Sequence, residues 1–321
     1  MSYTLEVRQI DSDVGLKLVA PQALWNDPAL LPERGHTLMI QVRRGHRIVG
    51  FWLVPLEETS DGLAARRPYR LFPYAAPWLA DQDRIRRRHV MQMLVSALQE
   101  TVCMIDLPLA PGFVDANGAI AAGCFAEWRH THTMSREQWS QKAEAGFSAK
   151  ARAHCRRALK SVRVEVLEEA TMFPFDLAIH GDEESVQRRR HFALYLHARG
   201  SAIAFVARDG LRELGGVFLV QDRETVFLYH MWFDRQAQSG VPCLLVRHAM
   251  KWTFEQSRSL RLDFEGSILA SVDHFMSSFG AEIQPYAYLH WGKSRAQTLA
   301  GILSSLDIEG RVASDCRINI E

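Results

Sequence analysis

The sequence predicts an α/β fold (an α+β mixed sheet) made of two tandem units. Three observations carry this expectation. The chain has 321 residues, about two domains at roughly 150 residues each. It is 47% apolar, which suffices for sizeable cores. It also repeats itself. Leu38–Val54 (LMIQVRRGHRIVGFWLV) falls without gaps on Ile203–Leu219 (IAFVARDGLRELGGVFL), and Arg43, Gly45, Arg47 and Gly50 recur as Arg208, Gly210, Arg212 and Gly215. Long-period self-similarity of this kind marks duplicated units.

The elements follow in order. Each repeated segment reads as a β-hairpin: a β-rich run, a polar turn carrying glycine, then a second run opening at a glycine. Downstream, Arg88–Met91 (RHVM) matches Arg247–Met250 (RHAM), each within a pattern of helical period. Met104–Leu107 (MIDL) matches Arg261–Phe264 (RLDF), short strand patterns centred on Asp106 and Asp263. Ala121–Trp128 resembles Ser278–Tyr286, each a helix end at Gly123 or Gly280 running into a strand. Each half thus reads hairpin, helix, strand, helix, strand. The first unit is placed at 1–135 and the second at 136–321, joined through the capping signal Ser135-Arg136-Glu137-Gln138. Tyr69–Asp83, rich in proline and aromatics, reads as an ordered loop. The second unit opens with a basic helix over 147–163, in which Lys150, Arg152, Arg156, Arg157, Lys160 and Arg163 meet no acid. Two readings stay open: a solvated helix face, or an anion clamp suited to phosphate.

Composition and motifs exclude much. Thirty-eight Lys and Arg against 37 Asp and Glu leave a net charge of +1, so no global field recruits nucleic acid or an anionic membrane. No apolar stretch approaches the ~20 residues of a membrane span and the N-terminus has no signal core, so the chain reads as cytoplasmic. Cys103, Cys124, Cys155, Cys243 and Cys316 are odd in number and widely spaced, against a disulfide framework or thiolate zinc site. Dinucleotide, P-loop, serine-elbow and H-E-x-x-H motifs are missing. His130-Thr131-His132 puts two imidazoles on one strand face, but with no third ligand nearby in sequence it reads as a polar strand face, and no metal site is expected.

Leu262–Leu289 (LDFEGSILASVDHFMSSFGAEIQPYAYL) carries a resemblance. The block Asp263-Phe264-Glu265-Gly266, a helix with Phe275, then Phe279-Gly280-Ala281 and Pro285-Tyr286, resembles the tandem GNAT-fold acyltransferases related to the Fem aminoacyl-transferases. Ser148–Lys160 looks like the family's basic helix before the second unit, and the resemblance covers most of 140–291. It implies two tandem GNAT-like units, the second catalytic, and an N-acyltransferase moving an acyl group from acyl-CoA to a small-molecule or peptide amine. Aminoacyl-tRNA as donor to a small peptide or cell-wall-type precursor is the alternative, and a non-catalytic binding protein is a third reading. The acyl donor is a co-substrate; no tightly bound cofactor is expected.

The resemblance also implies roles. Phe227–Asp234 is the strand whose free backbone edge pairs with the donor, leaving Tyr229, His230 and Met231 nearest the reacting carbonyl. Arg235, Ser239, Gly240 and Val241 form the donor loop and the following helix start, where the macrodipole favours negative charge. Only Gly240 survives of the family's usual loop glycines, which leaves acyl-CoA and aminoacyl-tRNA both open as donors. Lys150, Arg152, Arg156, Arg157 and Lys160 are the phosphate or tRNA contacts. His230 is the first candidate general base because its ordinary pKa suits neutral pH. Asp263 and Glu265 read as facing one side of a strand, one to hold an ammonium and the other to accept its proton. Asp106 recurs at the place of Asp263 in the first unit, so Asp263 reads as structural and Glu265 as the better functional residue. Tyr286, His274 and His290 are further acid or substrate-contact candidates.

Overall fold

The computed structural model describes residues 3–10, 36–66, 74–75, 77–80, 84–111, 113, 115–178, 183–222, 224–234, 236, 240–266, 270–294, 298–299 and 302. In the first half, strands β1 (Tyr3–Ile10), β2 (His36–Arg44), β3 (Arg47–Thr59), β4 (Gly62–Arg66) and β5 (Trp78–Leu79) precede helix α1 (Arg84–Thr101). Strand β6 (Met104–Pro108), helix α2 (Ala116–Ala121) and strand β7 (Phe125–Ser135) follow. Helices α3 (Arg136–Lys142) and α4 (Ala149–Ala158) then lead to β8 (Arg163–Leu167), α5 (Phe175–Ala178) and α6 (Glu183–Ala198). The second half continues with β9 (Ala202–Asp209), β10 (Arg212–Gln221), β11 (Thr225–Phe233), α7 (Val241–Lys251), β12 (Arg261–Asp263), α8 (Ala270–Ser277) and β13 (Glu282–Gly292).

The repeat extends to backbone detail. The hairpin glycines Gly45 and Gly210 both take the left-handed turn conformation, at φ 62° and 60°. One residue is extruded from the pairing just before the second glycine of each copy: Val49 in β3 and Leu214 in β10. Gly50 and Gly215 then let a helix lie close. A Cβ on Gly50 would stand 2.4 Å from Val90 of α1, and one on Gly215 3.1 Å from Leu245 of α7.

The chain forms two compact units, the first from the described residues of Met1–His130 and Pro285–Arg311, the second from those of Thr131–Gln284. The first runs β1-β2-β3-β4-β6-β13 with β5 beside β3, and the second runs β7-β12-β11-β10-β9-β8. All neighbours are antiparallel except β4 with β6 and β11 with β12, which are parallel and joined by α1 and α7 as crossovers. The division read at 135/136 therefore moves to 130/131, and 285–311 leaves the second half. Burial gives the reason. Ala287 and Leu289 of β13 enter the core of the first unit with Leu94, Ile105 and Leu107, whereas Met134 of β7 enters that of the second with Leu262 and Phe279.

The capping box at Ser135 forms as read, its Oγ accepting from Gln138 N at 3.1 Å and Gln138 Oε1 accepting from Ser135 N at 2.7 Å. The basic segment is helical only over Ala149–Ala158, capped by Ser148. Cys103, Cys124, Cys155 and Cys243 are buried and unpaired with one another, and burial pushes the Cys124 and Cys243 thiols up to about 12 and Cys155 to about 11. Cys316 lies outside the described residues. No described helix is long and apolar enough to cross a membrane.

Candidate functional site

The site is built on β11 and β12 of the second unit. Strand β11 pairs with β10 along its length, but Tyr229 is extruded: Leu219 stands opposite Leu228 and Phe218 opposite His230. On its other edge β11 meets β12 only at Thr225–Phe227, opposite Arg261–Asp263. The pairing with β12 stops at Phe227 because β12 ends at Asp263, and β11 runs on through Tyr229, His230 and Met231 to Phe233. The bulge decides which side chains face where. Val226, Leu228, Met231, Phe233 and Leu262 turn into or against the core. Phe227, His230, Trp232 and Asp263 therefore take the opposite face of the sheet.

His230 is edge-on to Phe175, with ring centroids 6.2 Å apart, and its Nε2 is buried without a hydrogen-bond partner among the described residues. Burial, with a smaller contribution from the Arg189 guanidinium, pushes its pKa down to about 3. The imidazole is neutral at physiological pH, yet its basicity is too low for an efficient general base, whose optimum lies near the working pH. Its ordinary pKa, which made it the first candidate, is not the one it has here. Arg189 on α6, read from sequence as part of a salt-bridged helix face, lies near enough to influence this site.

Asp263 is buried, and its Oδ1 accepts from Thr131 Oγ1 at 2.7 Å and from Glu265 N at 2.8 Å. It pins β12 to β7 and holds the following turn, a structural task. Glu265 does not share a strand face with Asp263, because β12 ends at Asp263. Instead Glu265 is half-buried in the left-handed region at φ 63°, followed by Gly266 at φ 64°. Such a conformation costs a non-glycine residue about 1–2 kcal/mol, and strain of this kind concentrates where a side chain is held for function.

The donor loop is partly described. Gly240 caps α7, and Val241 and Pro242 open its first turn; Arg235 and Ser239 lie outside the described residues. Helix α4 packs directly on this point, since a Cβ on Gly240 would stand 2.4 Å from the His154 carbonyl. Lys150 is close enough for its charge to pull on the Cys243 thiol against the larger effect of burial. Lys150, Arg156, Arg157 and Lys160 are exposed, whereas Arg152 is half-buried and spends its guanidinium on the Ala145 and Phe147 carbonyls. Arg152 is thus a local staple rather than a surface cation.

Tyr286 and His290 belong to the first unit. Tyr286 is edge-on to Tyr74. His290 is fully buried, its Nδ1 3.0 Å from Asp106 Oδ1 and its Nε2 3.2 Å from Glu127 Oε2. Burial alone would raise the Glu127 pKa, but its hydrogen bonds and charge pairing with Arg129 and His290 together outweigh burial and leave it below the usual range. Asp106 and Asp263 thus share a repeat position and differ in partners. His274 is exposed on α8. Reading His130 and His132 as a bare polar strand rested on the lack of an acidic neighbour in sequence. Asp273 of α8 supplies one, its Oδ1 2.7 Å from His132 Nε2.

The duplicated sheet, the parallel β11–β12 pair that ends after three residues and the helix starting beyond β11 together make a tandem GNAT-like fold. Three solved structures share it. FemX aligns with a TM-score of 0.57 and 13% identity over 79% of this chain and 88% of that chain. The C-terminal domain of a putative lysylphosphatidylglycerol synthetase from Agrobacterium fabrum aligns at 0.53 and 13% over 80% and 85%. A tandem GNAT protein from the clavulanic acid biosynthesis pathway aligns at 0.53 and 10% over 91% and 99%. No family model matches the chain, and no curated protein matches it in sequence.

Proposed function

We propose that the protein is an N-acyltransferase that moves an acyl group from acyl-CoA to a small-molecule or peptide amine, with the second unit catalytic. The observation that carries this reading is the edge of β11 past its three-residue pairing with β12, leading to the N-terminus of α7 at Gly240. An extended chain of amides can pair with such an edge, and a pyrophosphate suits the helix start, where unpaired N–H groups and the macrodipole favour anions. Lys150 adds positive charge there. In the reaction the amine nitrogen attacks the thioester carbonyl, the C–N bond forms, the C–S bond breaks, and the amine proton leaves as the thiolate gains one. Backbone N–H groups at the bulge stabilise the oxyanion. Glu265 receives the amine proton, and neutral His230 orients the acceptor through its buried Nε2. Incubation with acetyl-CoA and a panel of primary amines, read as thiol release and acylated product by mass spectrometry, tests this. Product that needs both the chain and the donor supports it; none overturns it.

One observation favours aminoacyl-tRNA as donor instead: Arg156 and Arg157 in the last turn of α4 and Lys160 just beyond it are exposed and make no ion pair among the described residues. Phosphate contacts of this kind supply most nucleic-acid affinity.

A further inference from the structure

We infer that His290 and Asp106 of the first unit ligate a divalent first-row transition-metal ion that takes mixed nitrogen and oxygen ligands, of the manganese(II), iron(II) or cobalt(II) class. Every side chain of the site belongs to that unit: Asp106 on β6, Glu127 and Arg129 on the first half of β7, Tyr288 and His290 on β13. In the register of the sheet His290 stands directly opposite Asp106. The imidazole is fully buried and its plane is fixed, because Tyr288 stacks on it with ring centroids 4.9 Å apart and the Arg129 guanidinium covers Tyr288 at 4.3 Å. Its Nε2 lies 3.2 Å from Glu127 Oε2. Glu127 is in turn gripped by Arg129, whose Nε donates to Oε1 at 2.8 Å and Nη2 to Oε2 at 3.1 Å. An ionised carboxylate only accepts, so Nε2 carries the ring proton, which leaves Nδ1 with a lone pair beside Asp106.

Nδ1 and Asp106 Oδ1 are 3.0 Å apart and buried, yet no hydrogen bond joins them and neither makes one to any other described residue. Two acceptors held so close repel unless a cation shares them. With ligand bonds of about 2.0–2.2 Å, this separation subtends roughly 90° at an ion, the angle between neighbouring octahedral ligands, whereas tetrahedral zinc needs roughly 3.4 Å. An ammonium group fits worse, since its diverging N–H bonds reach acceptors roughly 4.5 Å apart. An imidazole beside a carboxylate suits manganese(II), iron(II) or cobalt(II), whereas calcium and magnesium favour oxygen alone. Glu127 is the carboxylate that a metal-bound histidine commonly holds on its other ring nitrogen, where it orients the ring and raises its basicity. Asp106 keeps 17% of its side chain exposed, which gives the ion a way in and leaves its other positions to water or an oxygen ligand. Asp263, at the matching repeat position, spends its Oδ1 on Thr131 Oγ1 and Glu265 N, so the site is particular to the first unit. The inference is independent of the proposed acyl transfer.

The test uses the full chain freed of metal by chelation and titrated with Mn²⁺, free ion being counted by its electron paramagnetic resonance signal. Electron spin echo envelope modulation then reads nitrogen bound to the ion. We expect one Mn²⁺ held with a single imidazole nitrogen, and at least tenfold weaker binding in Asp106→Asn and in Glu127→Gln. Unchanged far-UV circular dichroism verifies that the variants fold; should Asp106→Asn fail that check, Glu127→Gln and the nitrogen coupling of the parent decide. Asp273→Asn, which alters the other described contact between a histidine and an aspartate, should bind as the parent does. Failure of the parent to bind, or a bound ion with no imidazole nitrogen or with two, overturns the inference. So does undiminished binding in a folded Asp106→Asn or Glu127→Gln, or binding lost in Asp273→Asn.

Discussion

Replacing Glu265 by glycine should cost less stability than replacing it by alanine, while either change abolishes activity. The residue sits at φ 63°, a conformation that costs an L-residue about 1–2 kcal/mol. Glycine removes that cost but adds about 0.5–1 kcal/mol of unfolded-state entropy, so the backbone contribution alone lies between about 0 and +1.5 kcal/mol in favour of glycine. Glu265→Ala keeps the strain and loses the same carboxylate. Comparing the two variants cancels every contact of the side chain and leaves the backbone effect, about 1 kcal/mol in favour of glycine. For a unit of this size that is roughly 2–4 °C in Tm. Urea and thermal unfolding measure stability, and donor-dependent acylation measures function. If Glu265→Ala is as stable as Glu265→Gly, the left-handed conformation is not held. If both variants keep full turnover, Glu265 does not receive the amine proton.

The other predictions concern pH, packing and salt. The folded-state pKa of His230 is about 3, below its ordinary value of about 6.5. Below pH 6.5 the unfolded chain therefore takes up a proton that the folded one refuses, and stability falls as pH drops toward 3. Urea midpoints at pH 7 and pH 5 should show about 1–2 kcal/mol more loss in the parent than in His230→Gln; equal losses would contradict the burial of Nε2. Gly280 has φ 74° and a Cβ there would stand 2.5 Å from the Gly146 carbonyl, whereas Gly123 at φ 90° has open space. Gly280→Ala should thus cost about 2–4 kcal/mol and Gly123→Ala only about 1–2, read from Tm. If the donor is aminoacyl-tRNA, Arg156→Glu with Arg157→Glu should lower tRNA affinity and reduce its log–log salt slope by about 2; with acyl-CoA as donor, turnover should change little.

The fold was legible because duplication leaves the same turn glycines, apolar strands and helix ends in the same order twice. Gly45 and Gly210 announce the hairpin, and Gly123 and Gly280 the helix ends. The crossing of the last strands was not legible. Alternation in Phe125–Ser135 and Glu282–Gly292 marks a strand but not the sheet it joins, which depends on where Met134, Ala287 and Leu289 find apolar partners. The bulge at Tyr229 that sets His230 apart from Leu228 carries no sequence mark. Nor does the depressed pKa of His230, which arises from burial near Phe175 and the charge of Arg189, residues distant in the chain. Asp273 was missed as a partner of His132 for the same reason. Strand β12 was read two residues too long because Glu265 has no glycine-like signature; only Gly266 hinted at a left-handed turn.

The most direct measurement is thermal unfolding of the full chain with saturating acetyl-CoA, CoA or aminoacyl-tRNA, at low and moderate salt. A ligand at about 100 times its Kd adds roughly 2.7 kcal/mol, several degrees in Tm for a chain of this size. A rise with acetyl-CoA and CoA that persists at moderate salt is the expected result. The absence of a rise with any of the three would contradict the claim that β11 and the start of α7 form a donor site.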